Sequence, residues 1–141
     1  MKRNNKGFTL LEIIIVIIIV GVLASLALPR FFATVEFARS NEALTNMSAL
    51  RQSMERCYLA GGGTYAPASG SCDTPNLDIS DPSNNPGTLF TFAIANQSAT
   101  GYTITATRNT VSSGSTSSAI TLTQAAGGVT RAGGPAFIGI K

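Results

Sequence analysis

The stretch KGFTLLEIIIVIIIVGVLASLAL, Lys6 to Leu28, sets a single carboxylate, Glu12, near the front of an otherwise apolar run. Phe8 to Leu28 counts 21 residues. As a helix that is about 31 Å at 1.5 Å per residue, close to the roughly 30 Å hydrocarbon core of a bilayer. Lys2, Arg3 and Lys6 stand before the run. A basic stub of this kind stays on the cytoplasmic side, so the chain beyond Leu28 is expected outside.

Two plain readings cover the run but not the acid. A secretory signal would use Ser25 and Ala27 as the small residues of its cleavage site, yet its apolar stretch is usually only about 7 to 15 residues long. A simple single-span anchor explains the length and gives Glu12 no purpose. An acid in a membrane costs free energy unless it is paired or protonated. Cleavage between Gly7 and Phe8 would supply the pair, because it creates an α-amino group that is cationic at neutral pH. Glu12 lies four residues beyond Phe8, on the same helix face, and could bind that amine in its own chain or in a neighbouring copy.

Gly7-Phe8-Thr9-Leu10-Leu11-Glu12, with a short basic leader before it and an aliphatic run after it, resembles the class III signal of type IV pilins and the related pseudopilins. Pro29 also stands where such proteins usually carry a proline. The resemblance covers about the first third of the chain; the remainder agrees in layout only. It implies cleavage after Gly7 by a prepilin peptidase, N-methylation of Phe8, and a Glu12 that helps dock each subunit into a growing filament. It further implies copies of the chain as the main partner, an inner-membrane platform with its ATPase, and residence in the inner membrane before assembly. The destination is then an extracellular pilus or a periplasmic pseudopilus. Adhesion, twitching motility, DNA uptake and secretion are the uses such a resemblance leaves open.

Proline lacks the N–H that would bond the carbonyl of Ser25, so Pro29 should kink or loosen a helix, and Gly21 is a second weak point. A helix end at the membrane surface is one reading. By the resemblance, the helix instead continues past Pro29, and Gly21 to Pro29 is where subunits can lose helical structure. The pattern does continue: Ala43, Met47, Leu50, Met54 and Cys57 recur at helical spacing as one apolar stripe, with Arg39, Glu42, Asn46, Ser53 and Arg56 on the other face. Such a methionine-bearing stripe suits packing under a sheet better than ligand binding. The whole helix is expected from about Phe8 to Leu59, ended by Gly61-Gly62-Gly63.

A loop to about Thr88 follows, and then alternation. Phe90, Phe92 and Ile94, then Tyr102, Ile104 and Ala106, then Ile120 and Leu122 are interleaved mainly with threonines, which predicts three half-buried strands. Asn96 to Gly101 reads as a hairpin connection, Ser112 to Ser118 as a longer loop, and Ala136 to Ile140 as a short edge strand. The expected class is α+β: a long N-terminal helix, half membrane and half amphipathic, packed on a small C-terminal antiparallel sheet, as in pilins. Its segments are a leader (1–7), a transmembrane and filament-core helix (8–28), an amphipathic continuation (29–60) and a globular head (61–141).

Cys57 and Cys72 leave one pairing, which in an oxidising compartment would close a loop of 15 residues worth about 3 kcal/mol. Two buried free thiols are the alternative. Without histidine, His-based triads and His-ligated zinc are excluded, and two cysteines do not make a structural zinc site. No catalytic residue, metal site or cofactor is assigned. Asp73, Asp78 and Asp81 could gather calcium with loop carbonyls, but their spacing fits a solvated acidic loop better.

The formal charge is +3, which ordinarily suggests an anionic partner. Loss of Met1 to Gly7 would remove three of the ten basic residues and leave seven against seven acids. No acid follows Pro82, while Arg108, Arg131 and Lys141 remain. That local excess could touch DNA in an uptake pilus, although three cations over so long a stretch make a weak footprint. It also speaks against the C-terminal calcium loop usual in major pseudopilins. The reading is therefore a structural filament subunit and not an enzyme. Its alternatives are a type II secretion pseudopilin, a minor or DNA-uptake pilin, and a secreted binding domain released after Ala27.

Overall fold

The computed structural model describes residues 7–68, 70–137 and 139–140. Residues 1–6 of the expected leader, including the three early cations, lie outside the described residues, as do Ile138 of the expected edge strand and Lys141.

One helix, α1, runs from Leu10 to Ala60 with Pro29 inside it, so the reading of a helix end at Pro29 does not hold. The chain divides into two compact units, the first ending at Val35 and the second starting at Glu36. In the first unit the aliphatic side chains have nothing to pack on. Every large apolar residue from Leu10 to Leu28 is exposed, which is the state expected of a segment whose solvent is lipid.

The second unit has a core. Ala43, Met47, Leu50 and Met54 are buried on one face of α1, as their spacing predicts, while Cys57 is half-buried. Their helix ends in a Schellman arrangement: Gly63 N–H donates to Tyr58 O at 2.9 Å, and Gly62 takes the left-handed φ of 76° that the motif asks of a residue without Cβ. Four antiparallel strands follow in sequential order: β1 (Phe90–Ala95), β2 (Tyr102–Arg108), β3 (Ala119–Ala125) and β4 (Gly128–Gly133). Register pairs Ile94 with Ile104 and Ile104 with Leu122, so Phe90, Phe92, Tyr102, Ile104, Ala106, Ile120 and Leu122 meet the helix stripe in one core.

Three expectations are corrected. The fourth strand is Gly128–Gly133, joined to β3 by the two-residue turn Ala126-Gly127, and Pro135–Phe137 form a 3-10 turn where an edge strand was expected. Ser53, expected on the polar face of α1, is buried because its hydroxyl donates to the Asp78 carboxylate. Arg108, expected among the surface cations, is completely buried. It occupies the next inward position of β2 after Tyr102, Ile104 and Ala106. Its Nε donates to Glu36 Oε2 at 3.1 Å and its Nη1 to Leu89 O at 3.0 Å and Asn109 Oδ1 at 3.0 Å, with Phe90 beneath the guanidinium. Arg39 binds the other Glu36 oxygen.

This buried cation explains Gly114. A Cβ there would stand 2.6 Å from the Arg108 guanidinium carbon and would overlap Asn109 O. Gly114→Ala is expected to cost on the order of 1 to 3 kcal/mol through that overlap, read as a lower denaturation midpoint with an unchanged m-value.

Candidate functional site

The residues expected to take part in processing and assembly lie at the head of α1. Gly7, Phe8 and Thr9 precede the helix, and Phe8 is exposed. Thr9 N–H and Thr9 Oγ1–H both donate to Glu12 Oε2 at 2.9 Å, and Glu12 N–H donates back to Thr9 Oγ1 at 3.3 Å. This is a reciprocal capping box: the threonine side chain and the glutamate three residues on satisfy N–H groups that a helix start leaves without partners. The acid therefore has a local holder within the chain itself. Thr9 was not singled out in the sequence, although the threonine-x-x-glutamate spacing before an apolar run is the signal that finds it.

Gly21 has open space where a Cβ would stand, and Pro29 sits further along the same helix. At Ser25, whose carbonyl loses the proline's missing N–H, the hydroxyl donates to Val22 O at 2.7 Å. α1 is also the one helix among the described residues long and apolar enough to cross a membrane.

In the second unit Cys57 and Cys72 form a disulfide, with Cα atoms 6.0 Å apart. The bridge ties the start of the loop to the last turns of α1. Further along, the loop is held again at Asp78, whose carboxylate accepts from Ser53 Oγ and from Arg56 Nε and Nη2 of α1. These bonds, Arg56 first, lower the Asp78 pKa to about 2 from an ordinary 3.8. A carboxyl with a depressed folded pKa stabilises the fold fully above its unfolded value and loses that contribution as pH falls through the folded one. The hold on residues 73–81 should accordingly weaken between about pH 4 and pH 2. Amide exchange in that segment is expected to rise across this window beyond its intrinsic pH trend, and an Asp78→Asn variant should lack the extra rise.

Beside the bridge, Tyr65 stacks between Tyr58 and Tyr102 with ring centroids 4.6 and 4.7 Å away. Burial, together with its bond to Glu55, pushes the Tyr65 phenol up to about 12. It remains a proton donor at neutral pH, and with Tyr102 it closes the end of the core.

Asp73, Asp78 and Asp81 do not converge as a ligand set: Asp73 accepts from Asn76, Asp78 is committed to Arg56 and Ser53, and Asp81 accepts from Ser83 N–H. The expected C-terminal cations separate as well. Arg108 is internal and Arg131 is exposed on β4.

Residues 2–28 match a family model described as the prokaryotic N-terminal methylation motif. Residues 29–123 match one described as type IV minor pilin ComP, DNA uptake sequence receptor. Among curated proteins, the type IV major fimbrial protein FimA of Dichelobacter nodosus is 28% identical over 95 residues, 62% of this chain and 59% of that protein. Type II secretion system core protein G of Dickeya chrysanthemi is 44% identical over 55 residues, 39% of this chain and 36% of that protein. The type IV major pilin protein PilA of Myxococcus xanthus (strain DK1622) is 46% identical over 47 residues, 33% of this chain and 21% of that protein. The chain thus spans less than two thirds of the length of each of these relatives.

Proposed function

The chain belongs to the type IV pilin family, and we propose that it is a structural subunit of a type IV pilus-like filament. Family membership carries membrane anchoring, N-terminal processing and self-assembly into a pilus or pseudopilus as the coarse frame. Within that frame, a prepilin peptidase cuts between Gly7 and Phe8, and Phe8 is then N-methylated. The new amine takes Glu12 as its partner in a neighbouring copy. The run from Phe8 to Leu28 holds the subunit in the inner membrane and later forms the apolar centre of the fibre. Gly21 and Pro29 mark where that helix can loosen. An inner-membrane platform and its ATPase drive extension.

The observation that carries this reading is the pairing of an exposed aliphatic helix with a separate, fully cored head. A helix with that much apolar surface needs either lipid or copies of itself, and assembly exchanges the first for the second. The test is to shear and purify surface fibres and identify their dominant protein. This chain is expected to dominate; its absence from fibres would count against the reading.

A second reading has its own support. The model covering residues 29–123 is described as a minor pilin and DNA uptake sequence receptor, which favours a low-abundance subunit that touches DNA. It predicts traces of the chain in fibres built mainly of another protein, and salt-sensitive retention of duplex DNA. The pseudopilin alternative draws on the 44% identity to a secretion-system core protein G, which is confined to 55 residues.

A further inference from the structure

Three ion pairs form among the described residues of the unit from Glu36 onward. Arg39 and Arg108 face Glu36, and Arg56 faces Asp78. Glu42 accepts from Thr88 Oγ1 and Leu89 N–H, and Glu55 accepts from Tyr65. Among the described residues of this unit, Arg51 and Arg131 are the cations left with no ion pair; Glu42, Glu55, Asp73 and Asp81 are the acids left with none, and of these Asp73 and Asp81 lie in the loop after α1.

Of these, Arg131 and Asp81 lie by opposite edge strands of the sheet. Arg51 of α1 and Arg131 of β4 line a groove of about 400 Å³ with Val129 and Thr130; Glu55, one turn along α1, lines a second groove with Arg51 and leaves Arg131 the more exposed charge. Among the described residues no strand pairs beyond β4. At the other edge, residues between Thr74 and Asn84 line a shallow acidic groove of about 590 Å³ that includes Asp78, Ser80 and Asp81. That loop is fixed beside β1, because Asp81 caps the turn at Ser83 and Phe92 N–H donates to Ser83 Oγ at 2.8 Å. Three strand spacings, about 14 Å, separate β1 from β4, so the grooves do not neutralise one another within one chain.

We propose that the Arg51–Arg131 groove receives the Asp73–Asp81 loop of a second copy of this chain. The contact rests on the filament reading and deepens it by naming which two surfaces of the head meet. Two different patches joined in this way make a heterologous contact, which repeats without closing and so extends a fibre. Exposed ion pairs are individually weak and screened by salt, so the contact sets the register of neighbouring heads while the apolar helices supply the adhesion. DNA phosphates would also answer the two arginines, but would leave the matching aspartates at the other edge without a partner.

The test places cysteines at Thr130 and Ser80, both exposed and each lining one groove, in the full chain with all charges kept. Sheared fibres treated with a mild oxidant are expected to give a ladder of disulfide-linked multimers on a non-reducing gel, and each single variant none beyond a dimer band. Fibres that form from the double variant yet show no ladder overturn this contact and leave the filament reading standing. Failure of the unaltered chain to form fibres sinks both. As a second measurement, R51E with R131E should make fibres that fall apart at lower salt than the unaltered ones. Adding D73R and D81R should restore them. Unchanged fibre stability in R51E with R131E, accompanied by loss of binding to a random-sequence duplex DNA, overturns the proposal in favour of a DNA surface.

Discussion

Glu36→Gln is expected to lower the stability of the head by about 3 kcal/mol, because it leaves the wholly buried Arg108 guanidinium without its counter-charge. Truncating one member of a buried ion pair costs more than the pair contributes, since the remaining charge stays out of water. Burial would by itself raise the Glu36 pKa, yet its bonds to Arg108 and Arg39 win and hold it below the ordinary glutamate range. With a lowered folded pKa, the contribution is complete above the unfolded value and fades as pH falls through the folded one. For a unit of this size the shift corresponds to roughly 15 °C in midpoint, measurable in detergent from the near-UV signal of Tyr58, Tyr65 and Tyr102. Pairing Glu36→Gln with Arg108→Met should recover part of the loss, because the orphaned charge is then gone. An unchanged midpoint in Glu36→Gln would mean the cluster carries no weight.

Glu12→Gln is expected to cut fibre yield about tenfold or more, on the scale of losing one charge-assisted bond in a low-dielectric site. Subunit level in the membrane and removal of the leader should be unaffected. Glutamine retains an oxygen for the Thr9 donors, so helix initiation survives while attraction to a neighbouring amine does not. The contrast separates the capping role, visible in the single chain, from the assembly role. A variant that forms normal fibres would reduce Glu12 to a helix cap. A Thr9→Ala variant isolates the cap itself: it removes the hydroxyl from the box and leaves the Glu12 charge in place.

The parts of the molecule that were legible in its sequence are those governed by a repeating period. Met47, Leu50 and Met54 stand at helical spacing and Tyr102, Ile104 and Ala106 at alternate positions, and both sets are buried together. The triple glycine ends α1 for the conformational reason that marks it in the sequence, the left-handed φ of Gly62. β4 escaped because Gly128-Val129-Thr130-Arg131-Ala132-Gly133 offers one sizeable apolar side chain, and its pairing with β3 comes from the two-residue turn before it and not from any hydrophobic face. Arg108 escaped because a cation usually marks the surface. Its position in the β2 alternation held the contrary signal, but its partner Glu36 lies 72 residues away, a pairing that no local pattern encodes. Ser53 departs from its polar-face pattern for the same reason, since Asp78 reaches it from a separate loop. At the head of the helix, Thr9 satisfies Glu12 through a local spacing of three residues that an apolar-run pattern does not register.

Whether Glu12 gains a new amine as its partner is decided by the mass of the N-terminus in purified fibres. The chain in fibres is expected to begin at Phe8, to carry one N-methyl group and to retain the Cys57–Cys72 bridge. A chain that begins at Leu28, or one from fibres that still carries Met1 to Gly7, would contradict it.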